Sequence, residues 1–165
     1  MVKFLRNSKV ASVILTIIRV YLGIKWTISG WEKITGGAAD ATKGMLAAAV
    51  KAPVTGPTGK TVYPWFNDMI SGILPHAQGM SVLISWGEFL VGLGLIFGCL
   101  TTAAAFFALL MNFSYLLAGA ISVNPMYIFL EYFILIAGFN AGKIGLDYWV
   151  MPWVRKHIFR RKSVA

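Results

Sequence analysis

The stretch that decides the fold runs from Val10 to Trp31 and reads VASVILTIIRVYLGIKWTISGW. Its only charged residues are Arg19 and Lys25. Because an α-helix rises about 1.5 Å per residue, the stretch is long enough to cross the roughly 30 Å of hydrocarbon in a bilayer. A basic N-terminal end precedes it, as in a signal peptide, but Ile28-Ser29-Gly30 is a poor cleavage site. We therefore interpret it as a retained membrane helix.

Three further apolar stretches follow, at residues 80–98, 101–123 and 126–142. The last is the shortest, and Asn124-Pro125 before it is typical of a helix start. With the first stretch, at 10–31, they predict four membrane spans. The sequence therefore predicts an all-α fold, an integral membrane four-helix bundle in a single membrane domain.

The composition supports a membrane solvent rather than water. The chain is 58% hydrophobic and 13% charged, whereas soluble domains carry about 25% charged residues. Its net charge of +9 would suit a nucleic-acid partner, but the basic residues gather at the two ends, next to apolar runs. We therefore expect membrane lipids and no nucleic acid as partners. The lone Cys99 excludes an internal disulfide, and His76 has no second ligand at metal-site spacing, so we expect no metal.

The segment between the first two spans, residues 32–79, is longer than ordinary connections. We predict a short helix at Ala41–Lys51 and a second, amphipathic one that begins at Pro64 and ends before Pro75. Aromatic residues suggest that the second helix lies on the membrane surface, although a solvated helix would also fit. The fold is thus expected to include a partly helical outer segment.

The distribution of lysine and arginine predicts the topology. Both ends of the chain are basic, and an even number of spans places them on the same side of the membrane. Cytoplasmic flanks carry the excess of basic residues. We expect both termini, including the basic tail at 150–165, to be cytoplasmic. The outer segment then faces outward.

Five polar side chains inside the spans are the candidate site residues: Arg19, Lys25, Glu88, Asn112 and Glu131. Charges in a bilayer face the bundle interior and need partners. Counting from the cytoplasmic edge, three of them lie at roughly 13–18 Å and the other two near 21 Å. We therefore predict two formally neutral layers. The central one holds Arg19, Glu88 and Asn112, and the outer one holds Lys25 and Glu131 near Lys33.

The polar residues have glycines on their own helical faces. Arg19 shares a face with Gly23 and Trp26, and Glu88 shares one with Gly92. Glycines let helices approach closely, and they also leave room for a flat ligand. An ion-paired core that only fixes helix register would produce the same pattern, so both interpretations stay open.

The chain resembles the DoxX/DoxD family of small bacterial membrane proteins. The resemblance is carried by Arg19-Val20-Tyr21-Leu22-Gly23, Gly30-Trp31-Glu32-Lys33, the glycine-rich run from Gly87 to Leu95, the turn from Gly98 to Thr101, and Gly142-Lys143-Ile144-Gly145-Leu146-Asp147. It implies a four-helix bundle in the bacterial plasma membrane. It also implies a link to quinone redox chemistry, because DoxD is a subunit of a thiosulfate:quinone oxidoreductase. Other members are associated with oxidative-stress or thiol-handling complexes.

The leading hypothesis is a quinone-linked membrane oxidoreductase component. Arg19 and Glu88 are then the catalytic candidates, which would orient or protonate a menaquinone or ubiquinone head group. Lys25, Trp26, Asn112 and Glu131 are the ligand-binding candidates. No flavin, haem or iron–sulfur motif is present, so any other redox group would belong to a partner subunit. The alternatives are a scaffold that recruits a soluble redox or stress-response enzyme, and a small-solute permease, for which a homo-oligomer would supply further spans.

Overall fold

The computed structural model describes residues 1–36 and 39–157. Within them, the secondary structure is helical, and the one extended pairing is an isolated bridge between Thr55 and Thr61. The predicted all-α fold is confirmed. The helices are α1 (Val2–Asn7), α2 (Lys9–Thr35), α3 (Ala39–Lys51), α4 (Pro64–Ile73), α5 (Ala77–Phe97), α6 (Thr101–Leu117), α7 (Asn124–Ala137), α8 (Phe139–Gly142) and α9 (Asp147–His157), with a 3₁₀ turn at Leu74–His76 between α4 and α5.

The bundle is formed by α2, α5, α6 and α7, and its closest pair is α2 with α5. Glycines make this approach possible. A Cβ atom at Gly23 would lie 2.8 Å from the carbonyl oxygen of Gly92, and one at Gly30 would lie 2.8 Å from the Cα of Phe89. Both distances are shorter than real Cβ contacts, so larger residues would force the helices apart.

The surface of the bundle is apolar. Large side chains such as Ile17, Leu83, Leu90 and Phe129 are exposed, whereas soluble proteins expose polar residues on such faces. Two helical runs, Lys9–Thr35 and Pro64–Phe97, are long and apolar enough to cross a membrane. The other two bundle helices, α6 and α7, are apolar but shorter.

The helix bounds differ from the sequence prediction by three residues or more at four places. The first bundle helix continues to Thr35 rather than ending at 31. The second bundle helix begins at Ala77 rather than 80, and the 3₁₀ turn joins it directly to α4. The third ends at Leu117 rather than 123, shortly before Gly119, which has a positive φ of 83°. The fourth does not run unbroken to 142, because Gly138 has a φ of 58° and ψ of −130° that other residues rarely adopt.

Both short helices predicted in the outer segment are present, as α3 and α4. They pack on α5 and α6 through a small apolar cluster that includes Leu46, Phe66 and Ile70. Part of the predicted basic tail forms α9, while Arg160, Arg161 and Lys162 lie outside the described residues.

The bundle has two distinct ends. We call the end with α1, the turn at 98–100 and residues 138–157 the base. We call the opposite end, with α3, α4 and the turn at 118–123, the rim. The chain runs from base to rim in α2 and α6 and returns in α5 and α7.

Candidate functional site

A cavity of about 310 Å³ lies between the bundle helices on the rim side. We call it the rim cavity. Its lining comes from α2, α3, α5, α6, α7 and the 118–123 turn, and consists of Lys25, Trp26, Ser29, Lys33, Met45, Glu88, Asn112, Tyr115, Ala120, Val123, Asn124 and Tyr127. A cavity of this size is at the lower end of the range for small-molecule sites. Four of the six predicted site residues line it: Lys25, Trp26, Glu88 and Asn112.

Glu88 is held in the wall of the rim cavity by three side chains. Its Oε1 lies 2.5 Å from Lys33 Nζ and accepts a hydrogen bond of 2.5 Å from the Tyr115 hydroxyl. Its Oε2 accepts one of 3.0 Å from Ser29 Oγ. Glu88 is 1% exposed, whereas Lys33 is 32% exposed. The pair therefore connects a buried carboxylate to the mouth of the cavity.

Glu131 forms a second buried carboxylate cluster beside the first. Its Oε1 accepts hydrogen bonds of 2.9 Å from Trp26 Nε1 and 2.8 Å from Asn112 Nδ2, and its Oε2 accepts another of 2.9 Å from the same amide. Glu131 is 0% exposed. No cation within the described residues forms an ion pair with it. The carboxylate is therefore satisfied by neutral donors, an arrangement compatible with gain or loss of a proton.

Lys25 does not pair with Glu131, so the predicted outer layer is wrong. Its ammonium lies 6.0 Å from the centre of the Tyr21 ring, and it forms no hydrogen bond with another described residue. Successive residues of a helix point about 100° apart, so only one of two neighbours can face Glu131. Trp26 takes that direction, and Lys25 is left exposed at the rim cavity.

Arg19 lies at the base, away from Glu88, so the predicted central layer is also wrong. The guanidinium donates to the carbonyl oxygens of Leu95 at 2.6 Å and Ile96 at 2.9 Å, and to that of Ile144. The depth count assumed that all helices start in one plane. In the structure the start of α2 extends beyond the end of α5, since Arg19 and Gly23, well inside α2, contact the last turns of α5. Arg19 is therefore level with the end of α5.

The surroundings of Arg19 form what we call the base cluster: Arg19, Gly98, Gly145, Asp147 and the carbonyls that Arg19 binds. Asp147 joins the cluster through its backbone N–H, which donates to the carbonyl oxygen of Gly98 at 2.7 Å. Its two carboxylate oxygens accept hydrogen bonds from the backbone N–H groups of Leu100 at 2.7 Å and Thr101 at 2.9 Å. Asp147 therefore caps the start of α6.

Glycines make room for the arginine in the base cluster. A Cβ atom at Gly98 would lie 2.7 Å from the guanidinium carbon, and one at Gly145 would lie 2.9 Å from its Nη2. Gly98 also ends α5 in the left-handed conformation, with φ 62°. Arg19 thus donates hydrogen bonds to the last carbonyls of α5, which have no partner inside their own helix.

Sequence reasoning missed Ser29 and Tyr115 and placed Lys33 beside the wrong carboxylate. Helical spacing could have identified all three. Ser29 and Lys33 follow Trp26 at three and seven positions, and Tyr115 follows Asn112 at three, so each lies on a face already assigned to the site.

The charges around the rim cavity balance formally, with Lys25 and Lys33 against Glu88 and Glu131. Such a cavity can hold a small polar ring: Lys25 can donate a hydrogen bond to it, and two carboxyl groups can exchange protons near it. Among the described residues, no three His, Cys, Asp or Glu side chains come together as metal ligands.

The model of the DoxX family matches residues 14–120, which include Arg19, Glu88 and Asn112 and exclude Glu131 and Asp147. Neither a curated protein nor a solved structure matches the chain significantly. The family and the apolar helices indicate a membrane protein. The resemblance noted in the sequence is confirmed, and the chain belongs to the DoxX family.

Proposed function

We propose that the chain is a quinone-linked component of a membrane oxidoreductase, in which the rim cavity receives the quinone head group. In this proposal α2, α5, α6 and α7 cross the bacterial plasma membrane, and both termini are cytoplasmic. The observation that carries it is the pairing of two buried carboxylates, Glu88 and Glu131, in and beside one cavity of an otherwise apolar bundle. Ionisable groups at such positions mark sites of function.

The chemistry of a quinone suits this pair of acids. Reduction to the quinol takes two electrons and two protons, and we assign the electrons to a redox group on a partner subunit. In the structure Glu88 is the carboxylate paired with the Lys33 ammonium. It can take a proton from that ammonium and pass it to a ring oxygen, and Lys33 then regains a proton from water at the mouth of the cavity. Glu131, which is held by neutral donors, is the proposed source of the second proton. Lys25 would hold the second ring oxygen by a hydrogen bond.

The proposal changes the role first given to Arg19. Its guanidinium is 2% exposed and bonded to three carbonyl oxygens at the base. A group in that position cannot orient a ring in the rim cavity. Arg19 is therefore a structural residue in this proposal, and Glu88 and Glu131 take the proton-transfer roles.

The first test is an inventory of lipids and quinones in gently purified protein by mass spectrometry. We expect menaquinone or ubiquinone near one per chain. Ala120→Trp should displace it, because Ala120 lines the rim cavity, while Ala120→Ser should retain it. Wild-type protein that carries only phospholipid would contradict the proposal and favour a scaffold without a substrate.

The second test concerns proton transfer. In native membranes, Glu88→Gln should lower quinone-dependent electron transfer by about 100-fold, since a positioned acid contributes roughly 10²–10⁴-fold. Glu32→Gln, an exposed carboxylate on the same helix as Lys33, is the matched control and should leave the rate unchanged. Equal rates in the two variants would remove Glu88 from the mechanism.

A further inference from the structure

A second cavity, of about 190 Å³, adjoins the rim cavity and differs from it in chemistry. We call it the apolar cavity. Methionine and other apolar side chains dominate its lining, among them Met45, Phe66, Ile70, Met80 and Met111. An empty apolar cavity of about 150 Å³ stays dry and takes up benzene. The apolar cavity is therefore large enough for a short hydrocarbon segment. The two hydroxyl groups in its lining, of Ser114 and Tyr115, already bond to Leu110 and Glu88, so they do not require water.

The two cavities share a wall. Met45 and Tyr115 line both of them. The Tyr115 hydroxyl bonds to Glu88 on the rim side, so this side chain marks the change from polar to apolar surroundings. A ligand that spans both cavities needs a small polar head joined to a hydrocarbon chain.

We propose that the apolar cavity holds the first isoprenoid units of the quinone tail, while the ring occupies the rim cavity. This inference rests on the proposed function. The irregular, methyl-branched chain of an isoprenoid suits a lining rich in methionine, because methionine adapts its shape to its neighbours. The chain leaves the ring past Tyr115 and lies between the outer segment and the rim-side halves of α5 and α6.

The outer segment is the element that encloses this chain. Phe66 and Ile70 are buried where α4 packs toward α3, and Leu46 of α3 joins the same cluster. Each of these side chains also lines the apolar cavity. The segment between the first two spans therefore serves as the wall of a lipid-chain site.

The test compares quinones with and without a tail. Ubiquinone-0, which has no isoprenoid, and ubiquinone-2, which has two units, are titrated against purified wild-type protein by tryptophan quenching. We expect ubiquinone-2 to bind at least tenfold more tightly. Ser114→Phe fills the apolar cavity without lining the rim cavity, and Ser114→Ala is the matched control. Ser114→Phe should remove the advantage of the tail and leave the Kd of ubiquinone-0 within about twofold.

Ala118→Leu is a second variant that fills the same cavity, for use if Ser114→Phe does not fold. A tail advantage that survives in a folded filling variant overturns the inference, as does a wild-type protein with no tail advantage. Equal binding of decylubiquinone, which has a straight chain, overturns the preference for an isoprenoid. A phospholipid retained by wild type and lost from Ser114→Phe assigns the cavity to an acyl chain and also overturns it. Failure of both quinones to bind would contradict the proposed function itself, and not only the assignment of the tail to the apolar cavity.

Discussion

The base cluster and the Glu88 site at the rim contain the same kind of group, a buried charge in an apolar bundle, and use it differently. At the base, Arg19 is surrounded by backbone carbonyls and by glycines, which lack the side chains that would overlap its guanidinium. At the rim, Glu88 is bound only by side chains and borders a cavity. Backbone partners cannot move without disturbing a helix, whereas side chains can. The partners of a buried charge thus indicate whether it stabilises the fold or takes part in chemistry.

The largest effect should come from Arg19→Ala, which breaks the base cluster. It leaves the carbonyls of Leu95, Ile96 and Ile144 without this donor. Each buried acceptor left unsatisfied costs about 1–3 kcal/mol, so the loss of all three should cost about 3 kcal/mol or more. The free energy of unfolding in detergent should fall by that amount. Lys143→Ala, an exposed neighbour with no hydrogen bond to another described residue, is the control, and an equal loss in both variants would refute the structural role.

Gly98→Ala should show that the base tolerates no added atom. Alanine in the left-handed conformation costs about 1–2 kcal/mol, and its Cβ would also press on the Arg19 guanidinium. Gly119→Ala is a matched control at the rim, since its φ is also positive, at 83°, but no atom lies within 4 Å of the new Cβ. Thermal unfolding should therefore place Gly98→Ala below Gly119→Ala. Equal midpoints would show that the contact with Arg19 costs nothing.

Asn112→Leu tests the second rim carboxylate by removing two of the hydrogen bonds to Glu131. A buried acceptor left unsatisfied costs about 1–3 kcal/mol. Glu131→Leu removes the acceptor itself, so the additional cost of Asn112→Leu in that background should be smaller. A double-mutant cycle of unfolding free energies measures the difference. Additive losses would mean that the two side chains do not interact.

The smallest effect concerns Cys99, at the base turn between α5 and α6. Burial, with a further contribution from Asp147, raises the pKa of its thiol. Because the thiolate is the reactive form, maleimide labelling should be slow at pH 7 and increase about tenfold for each pH unit. A membrane-impermeant maleimide should react only after the cells are opened, if the base is cytoplasmic. Labelling of intact cells would show that the base faces outward. The Cys99→Ser variant measures the labelling that does not come from Cys99.

The sequence was sufficient for the helices and for the polar residues but not for their pairing. The long apolar runs predicted the bundle, and the polar residues within them identified Glu88, Asn112 and Glu131. Pairing depends on how far each helix is displaced along its neighbours, and a single sequence does not contain that displacement. The start of α2 extends beyond the end of α5, which moved Arg19 to the base and left Glu88 with Lys33. For the same reason, the sequence did not predict that α3 and α4 form the wall of a cavity.

The unequal lengths of the bundle helices have a consequence for the surrounding lipid. At about 1.5 Å per residue, α2 measures about 40 Å, whereas α7 measures about 21 Å before Gly138 interrupts it. The flank at α2 is therefore longer than a typical hydrocarbon core, and the flank at α7 is shorter. In the proposed arrangement, in which α7 crosses the membrane, the leaflets compress beside α7 or the whole molecule tilts, and either response costs energy for each ångström of mismatch. The short flank is consequently the side on which thin bilayer regions, or a second short-flanked protein, would gather.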